Sequence, residues 1–153
     1  MFNKIAPGLS AVAAVAVVTM MLVSLADIAV RNALGVPIRG AFDLVELSLV
    51  ICIFFGLPEV FATNRNIVVD VVDHFAGTVV TRKLHLFSTI VVGLFLLLLL
   101  YAMIEPGLDT IRYPEHKQET GLPTWLYWLP IFAGTVLSLA ESIRAVLPKP
   151  QAE

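Results

Sequence analysis

Arg39-Gly-Ala-Phe-Asp43-Leu-Val-Glu46-Leu-Ser48-Leu-Val-Ile-Cys52-Ile-Phe-Phe-Gly56-Leu-Pro-Glu59-Val-Phe-Ala-Thr63 is apolar enough to cross a bilayer, yet it carries Asp43, Glu46 and Glu59. A charge in or beside the hydrocarbon core is costly, so such carboxylates face protein or water rather than lipid. At roughly 100° per residue the run divides into two faces. Ser48, Cys52, Gly56, Glu59 and Thr63 form a small, weakly polar stripe, suited to close helix contact. Asp43 and Glu46 lie nearly opposite, in the first turn, where the helix dipole favours negative charge. Arg39 precedes them and is placed to pair with one. The helix is therefore expected to meet protein on two sides, its own chain and a partner.

The rest of the composition agrees with a membrane location. The 153 residues are 58% hydrophobic and 14% charged, whereas soluble domains run nearer half apolar and a quarter charged. A net charge of -2 leaves no basic footprint for nucleic acid. Cys52 is the sole cysteine; it forms no intrachain disulfide and reads as a small packing residue.

Outward from the opening run, the chain predicts an all-α integral membrane protein in a single membrane domain. Four spans are expected at about 5–29, 41–63, 84–104 and 122–147, each long enough to cross. The first is too long for a signal-peptide core, so it is read as an uncleaved helix. Asp27 and Arg31, four apart at its end, are placed to pair across one turn. Asp70, Asp73 and His74 interrupt the next segment. Valines gather on its other face, which predicts a short amphipathic interfacial helix at about 66–81. Glu105-Pro106-Gly107 is expected to stop the third span, leaving residues 105–121 as a polar loop of open conformation. Pro123 suits a first helical turn, Pro130 should bend the fourth span, and Gly134, Ser138 and Ser142 make a second small stripe.

Orientation is read from Lys and Arg in the connections. With the N-terminus inside, Lys4, Arg65, Arg82, Lys83, Arg144 and Lys149 are cytoplasmic, against Arg31, Arg39, Arg112 and Lys117 outside. Tyr101, Trp125, Tyr127 and Trp128 would then form an aromatic belt of interfacial anchors at the outer boundary.

Enzymatic chemistry finds no support. His74, His85 and His116 lie in three different segments, unlike the facing histidines of a haem-binding bundle. There is no zinc spacing, phosphate loop or nucleophile motif. The first and third spans carry no charge in their cores, which argues against an autonomous small transporter.

Four motifs in order resemble one family over nearly the whole chain. They are Asp27-Ile-Ala-Val-Arg31-Asn with Ile38-Arg-Gly-Ala-Phe-Asp-Leu-Val-Glu46-Leu, then Phe55-Gly-Leu-Pro-Glu-Val-Phe-Ala with Asn66-Ile-Val-Val-Asp70, then Glu119-Thr-Gly-Leu-Pro-Thr-Trp125, and Leu129-Pro-Ile-Phe-Ala-Gly134. The pattern resembles the small permease subunit, DctQ type, of tripartite ATP-independent periplasmic (TRAP) transporters; the charged loop 112–117 departs from it. The resemblance implies four transmembrane helices in the bacterial inner membrane with both termini cytoplasmic. It implies a large membrane subunit that holds the substrate and sodium sites, and a periplasmic protein that delivers an organic acid anion. This chain would be scaffold, with no cofactor of its own. Asp27, Arg31, Arg39, Asp43, Glu46, Glu59, Gly56 and Gly134 are the candidate structural or subunit-interface residues, and Glu46 is expected to pair with Arg31, Arg39 or the large subunit. A free-standing four-helix membrane assembly or structural protein, or an autonomous small transporter, is the alternative.

Overall fold

The computed structural model describes residues 5–62 and 78–146. They form four helices, α1 (Ile5–Leu34), α2 (Ala41–Ala62), α3 (Thr78–Arg112) and α4 (Trp125–Val146). All four are long and apolar enough to cross a membrane. Among the described residues there is no strand, only one isolated bridge between His116 and Pro123.

The helices stand in a row rather than in a closed bundle. α1 packs on α2, α2 on α4 and α4 on α3, and no other helix pair is in contact among the described residues. Two hairpins, α1–α2 and α3–α4, thus meet along a single seam between α2 and α4. Each interface is built where small residues let backbones approach. Ala6, Ala13 and Ala16 of α1 are buried, and a methyl placed on Gly56 of α2 would reach the Ala13 methyl at 3.9 Å. Gly56, on the small stripe of α2, therefore faces α1. Between α3 and α4, a methyl on Gly93 would lie 3.6 Å from the Ser142 hydroxyl.

The α2–α4 seam has a more specific cause. Pro58 lies inside α2 and is buried. Having no N–H, it leaves the carbonyl four residues earlier, that of Phe54, without its helical donor. Gly134 of α4 sits directly against this carbonyl. A Cβ there would overlap the Phe54 oxygen and come within 2.6 Å of its carbonyl carbon. One Gly134 Cα–H consequently points at the freed oxygen, a weak hydrogen bond that only a glycine can offer at this separation. Thr135 and Ser138 beside it are fully buried and donate back to Ile131 and Gly134 carbonyls at 2.7 Å, so their hydroxyls are satisfied inside α4.

Element ends depart from the sequence expectation in instructive ways. α1 runs on to Leu34 rather than residue 29, and ends where Gly35, at φ 73°, donates to the Arg31 carbonyl at 2.9 Å. Glu105-Pro106-Gly107 does not stop α3, which continues to Arg112. Aromatic side chains of α4 hold the extension in place. A methyl on Gly107 would lie 2.8 Å from the Phe132 ring, and Trp128 Nε1 donates to Thr110 Oγ1 at 3.0 Å. Helix α4 starts at Trp125, so Pro123 stands ahead of it, not in its first turn. At about 1.5 Å per residue α3 is roughly 52 Å long, well beyond the roughly 30 Å of a hydrocarbon core. The amphipathic helix expected at about 66–81 lies, up to residue 77, outside the described residues; residues 78–81 are the first turn of α3.

A Gly134→Ala substitution should therefore destabilise the protein by about 1–3 kcal/mol, the usual range for forcing a methyl into a filled contact. Gly8, in the same kind of helix but with nothing within 4 Å of its Cβ position, should tolerate alanine with no loss. Thermal melting of the two variants in detergent checks the contrast.

Candidate functional site

Among the described residues, a cluster of hydrogen-bonded polar side chains lies at the end that carries the two short connections, 35–40 and 113–124. Gly40, at φ 80°, turns the chain into α2, and its carbonyl accepts from Leu44 N–H at 3.1 Å. This presents Asp43 and Glu46 toward the 113–124 connection. That connection is ordered by its own backbone: Lys117 N–H donates to Leu122 O, Gly121 N–H to Lys117 O and Thr124 N–H to Glu115 O, each at 2.9 Å.

The connection then folds over α2 and meets it in register. Asp43 is only 5% exposed. Its Oδ2 accepts from the Thr120 N–H at 3.1 Å and the Thr120 hydroxyl at 2.7 Å. Its own carbonyl accepts from the Tyr127 hydroxyl at 2.9 Å. Lys117 Nζ donates to both Glu46 oxygens, at 2.8 and 2.6 Å, and lies 4.7 Å above the Tyr127 ring. Glu119 Oε2 accepts from Gly40 N–H at 2.9 Å. Gly40 also lies so close to Thr120 that a Cβ would sit 2.6 Å from its methyl. Three carboxylates and one ammonium thus clasp the α3–α4 hairpin to the start of α2.

The clasp is half wet: the Lys117 and Glu46 side chains keep 23% and 36% of their exposure. The hydrogen bond to Glu46 raises the Lys117 pKa above its ordinary 10.5, and the Glu46 charge adds to this, while partial burial works against both. A second ion pair stands alongside on α1. Arg31 donates to Asp27 Oδ2 at 2.6 Å, and Asp27 Oδ1 accepts from Ile38 N–H at 2.8 Å, which pins the α1–α2 connection.

The positions of the remaining candidates follow. Arg39 is exposed and pairs with neither Asp43 nor Glu46. Glu59 is half-buried on α2, and Gly56 and Gly134 serve the contacts already described. Tyr101 and Trp125 are exposed, as interfacial anchors would be, and Trp128 is half-buried against Thr110. Tyr127 differs: it is buried beneath the clasp. Sequence reasoning missed Lys117, Thr120 and Glu119 as the residues that answer the acidic first turn of α2. The signal available was the charge in the Glu115-His-Lys117-Gln-Glu119 loop, which has no role if the loop is only a solvated link.

This arrangement satisfies charge and fixes geometry; it presents no nucleophile and no acid–base pair poised on a cleft. The family model for "Tripartite ATP-independent periplasmic transporters, DctQ component" matches residues 20–148. The chain belongs to the DctQ family. Comparisons with curated proteins and with solved structures found no match. DctQ proteins are a component of TRAP transporters and not an enzyme family, and four apolar helices make this member a multi-pass membrane protein. Within it, the expected pairing of Glu46 with Arg31 or Arg39 is corrected. Arg31 is engaged by Asp27 on the same helix face, and the flexible reach of Lys117 from the opposite hairpin brings it to Glu46.

Breaking the clasp should cost more than the roughly 0–1 kcal/mol of an exposed ion pair and less than the roughly 3–5 kcal/mol of a buried one. A double-mutant cycle with Glu46→Gln and Lys117→Met, read by melting temperature, should show clear coupling, and additive effects would contradict the pairing. The pH dependence has a definite sign. With the folded Lys117 pKa above 10.5, the clasp contributes in full below that value and is lost as pH rises through the higher one. The stability gap between the wild type and Lys117→Met should hold steady from neutral pH up to about 10 and close beyond it.

Proposed function

We propose that this DctQ protein is the small scaffold subunit of a sodium-driven importer of an organic acid anion. In this reading the large membrane subunit holds the substrate and sodium sites, and a periplasmic binding protein delivers the substrate. The observation that carries it is the open row of helices. Each helix leaves a broad apolar face uncovered by the other described residues: Leu22 and Leu25 of α1, Phe42 and Ile53 of α2, Leu94 and Leu98 of α3, and Val136 and Ile143 of α4 are all exposed. A row suits a component that enlarges the static part of a larger assembly. The charged residues of the clasp are engaged within the chain, so they hold the scaffold rigid instead of coupling ions. Arg39, exposed on the 35–40 connection, is the candidate charge for a partner. Both termini lie in the cytoplasm of a bacterial inner membrane, with the clasp on the periplasmic side, and reporter fusions after Pro150 and within 113–121 test this placement.

The decisive experiment is sodium-driven uptake by the purified two-subunit complex in liposomes. Glu46→Gln should lower the melting temperature and yield of the complex, while sodium dependence and substrate preference of the surviving complex stay as in wild type. A fully assembled variant with altered sodium dependence would show that this chain takes part in coupling.

A further inference from the structure

We propose that a groove at the α1–α2 junction binds the headgroup of a zwitterionic phospholipid whose ammonium carries N–H donors, as in phosphatidylethanolamine. The groove has a volume of about 340 Å³, near the low end for ligand sites at about 300–1,000 Å³. That is room for a headgroup, with the acyl chains outside. Its lining is divided by chemistry. Asp27 and Arg31 of α1 and Glu119 of the 113–124 connection supply charge, and Ile28 and Phe42 supply an apolar side. Asp27 is the first ionised residue after the apolar run of α1, so these charges stand at the level where hydrocarbon gives way to headgroups.

The charge pattern selects the ligand. Arg31 uses a guanidinium nitrogen on Asp27, and its side chain is still 63% exposed. The rest of its donor fork is open to a phosphate, whose geometry it matches. Two carboxylates flank that single cation, so a ligand that is only anionic meets net repulsion. A headgroup with a phosphate and an ammonium a few bonds apart satisfies both signs: phosphate on Arg31, ammonium on Glu119, which spends Oε2 on Gly40 N–H. A choline headgroup presents no N–H to a carboxylate, and a glycerol headgroup presents no cation. Ile28 and Phe42, 63% and 74% exposed, continue the groove onto the lipid-facing side of the hairpin, where the chains would lie. The assignment depends neither on the transport reading nor on which compartment the groove faces.

Native mass spectrometry of the full chain tests it, using equimolar phosphatidylethanolamine, phosphatidylcholine and phosphatidylglycerol with identical acyl chains. The wild type should retain phosphatidylethanolamine about tenfold over the other two, the scale of one hydrogen bond to a charged group. Arg31→Gln should abolish that preference and Arg31→Lys should restore part of it. Glu119→Gln, which still accepts from Gly40 N–H, should lose discrimination against phosphatidylglycerol; this variant carries the test if Arg31→Gln does not fold. Equal retention of all three lipids by the wild type would overturn the proposal, as would unchanged preference in a folded Arg31→Gln or Glu119→Gln protein. Displacement of the lipid by soluble glycerophosphoethanolamine at matched concentration would also overturn it, by showing that the groove serves a water-soluble ligand.

Discussion

A proline inside a membrane helix leaves a carbonyl that lipid cannot satisfy, and this fold is assembled around one such group. Pro58 frees the Phe54 carbonyl of α2, and Gly134 of α4 is the residue brought against it. Because, among the described residues, α2 and α4 form the only helical contact between the two hairpins, this meeting sets how the hairpins sit. Buried Thr135 and Ser138 keep the adjoining surface of α4 small, which is what permits the approach.

The clasp complements that seam at one end of the helices. Asp43 and Glu46 begin α2, where the helix dipole stabilises negative charge, but the edge of a bilayer penalises it. The 113–124 connection resolves the conflict by supplying Thr120 and Lys117. The seam is short-range packing that water does not weaken, whereas the clasp is partly wet and sensitive to charge. Together they turn a row of helices, which would otherwise be free to splay, into a defined plate with two broad apolar faces. A component of a multi-protein transporter gains from such a shape, since lateral area is presented without a closed core to enclose.

The four spanning helices and the all-α class were legible from hydropathy, and the family from four motifs in order. The faces of α2 were also legible, because a helical period fixes which residues share a side: Gly56 does meet α1, through Ala13. Partners were not. Period says nothing of which helix a face will meet, so Phe55-Gly-Leu-Pro-Glu and Leu129-Pro-Ile-Phe-Ala-Gly134 stood as separate motifs although they form one contact. The same limit misdirected Glu46 toward the nearby Arg31 and Arg39. Lys117, 71 residues away, was placed by the fold of a loop whose conformation no pattern encodes. Glu105-Pro106-Gly107 misled for a related reason, since local propensity yields where Trp128 and Phe132 pack against the extended helix.

The separation of Glu46 and Lys117 along the chain bears on biogenesis. A membrane protein is inserted from its N-terminus, so α2 reaches the bilayer while the residues that will neutralise its first turn are still being made. Until the 113–124 connection emerges, Asp43 and Glu46 must remain hydrated at the interface or be covered by another protein. The half-made chain therefore carries an acidic turn that its own residues do not yet answer, whereas in the finished one Thr120 and Lys117 engage it.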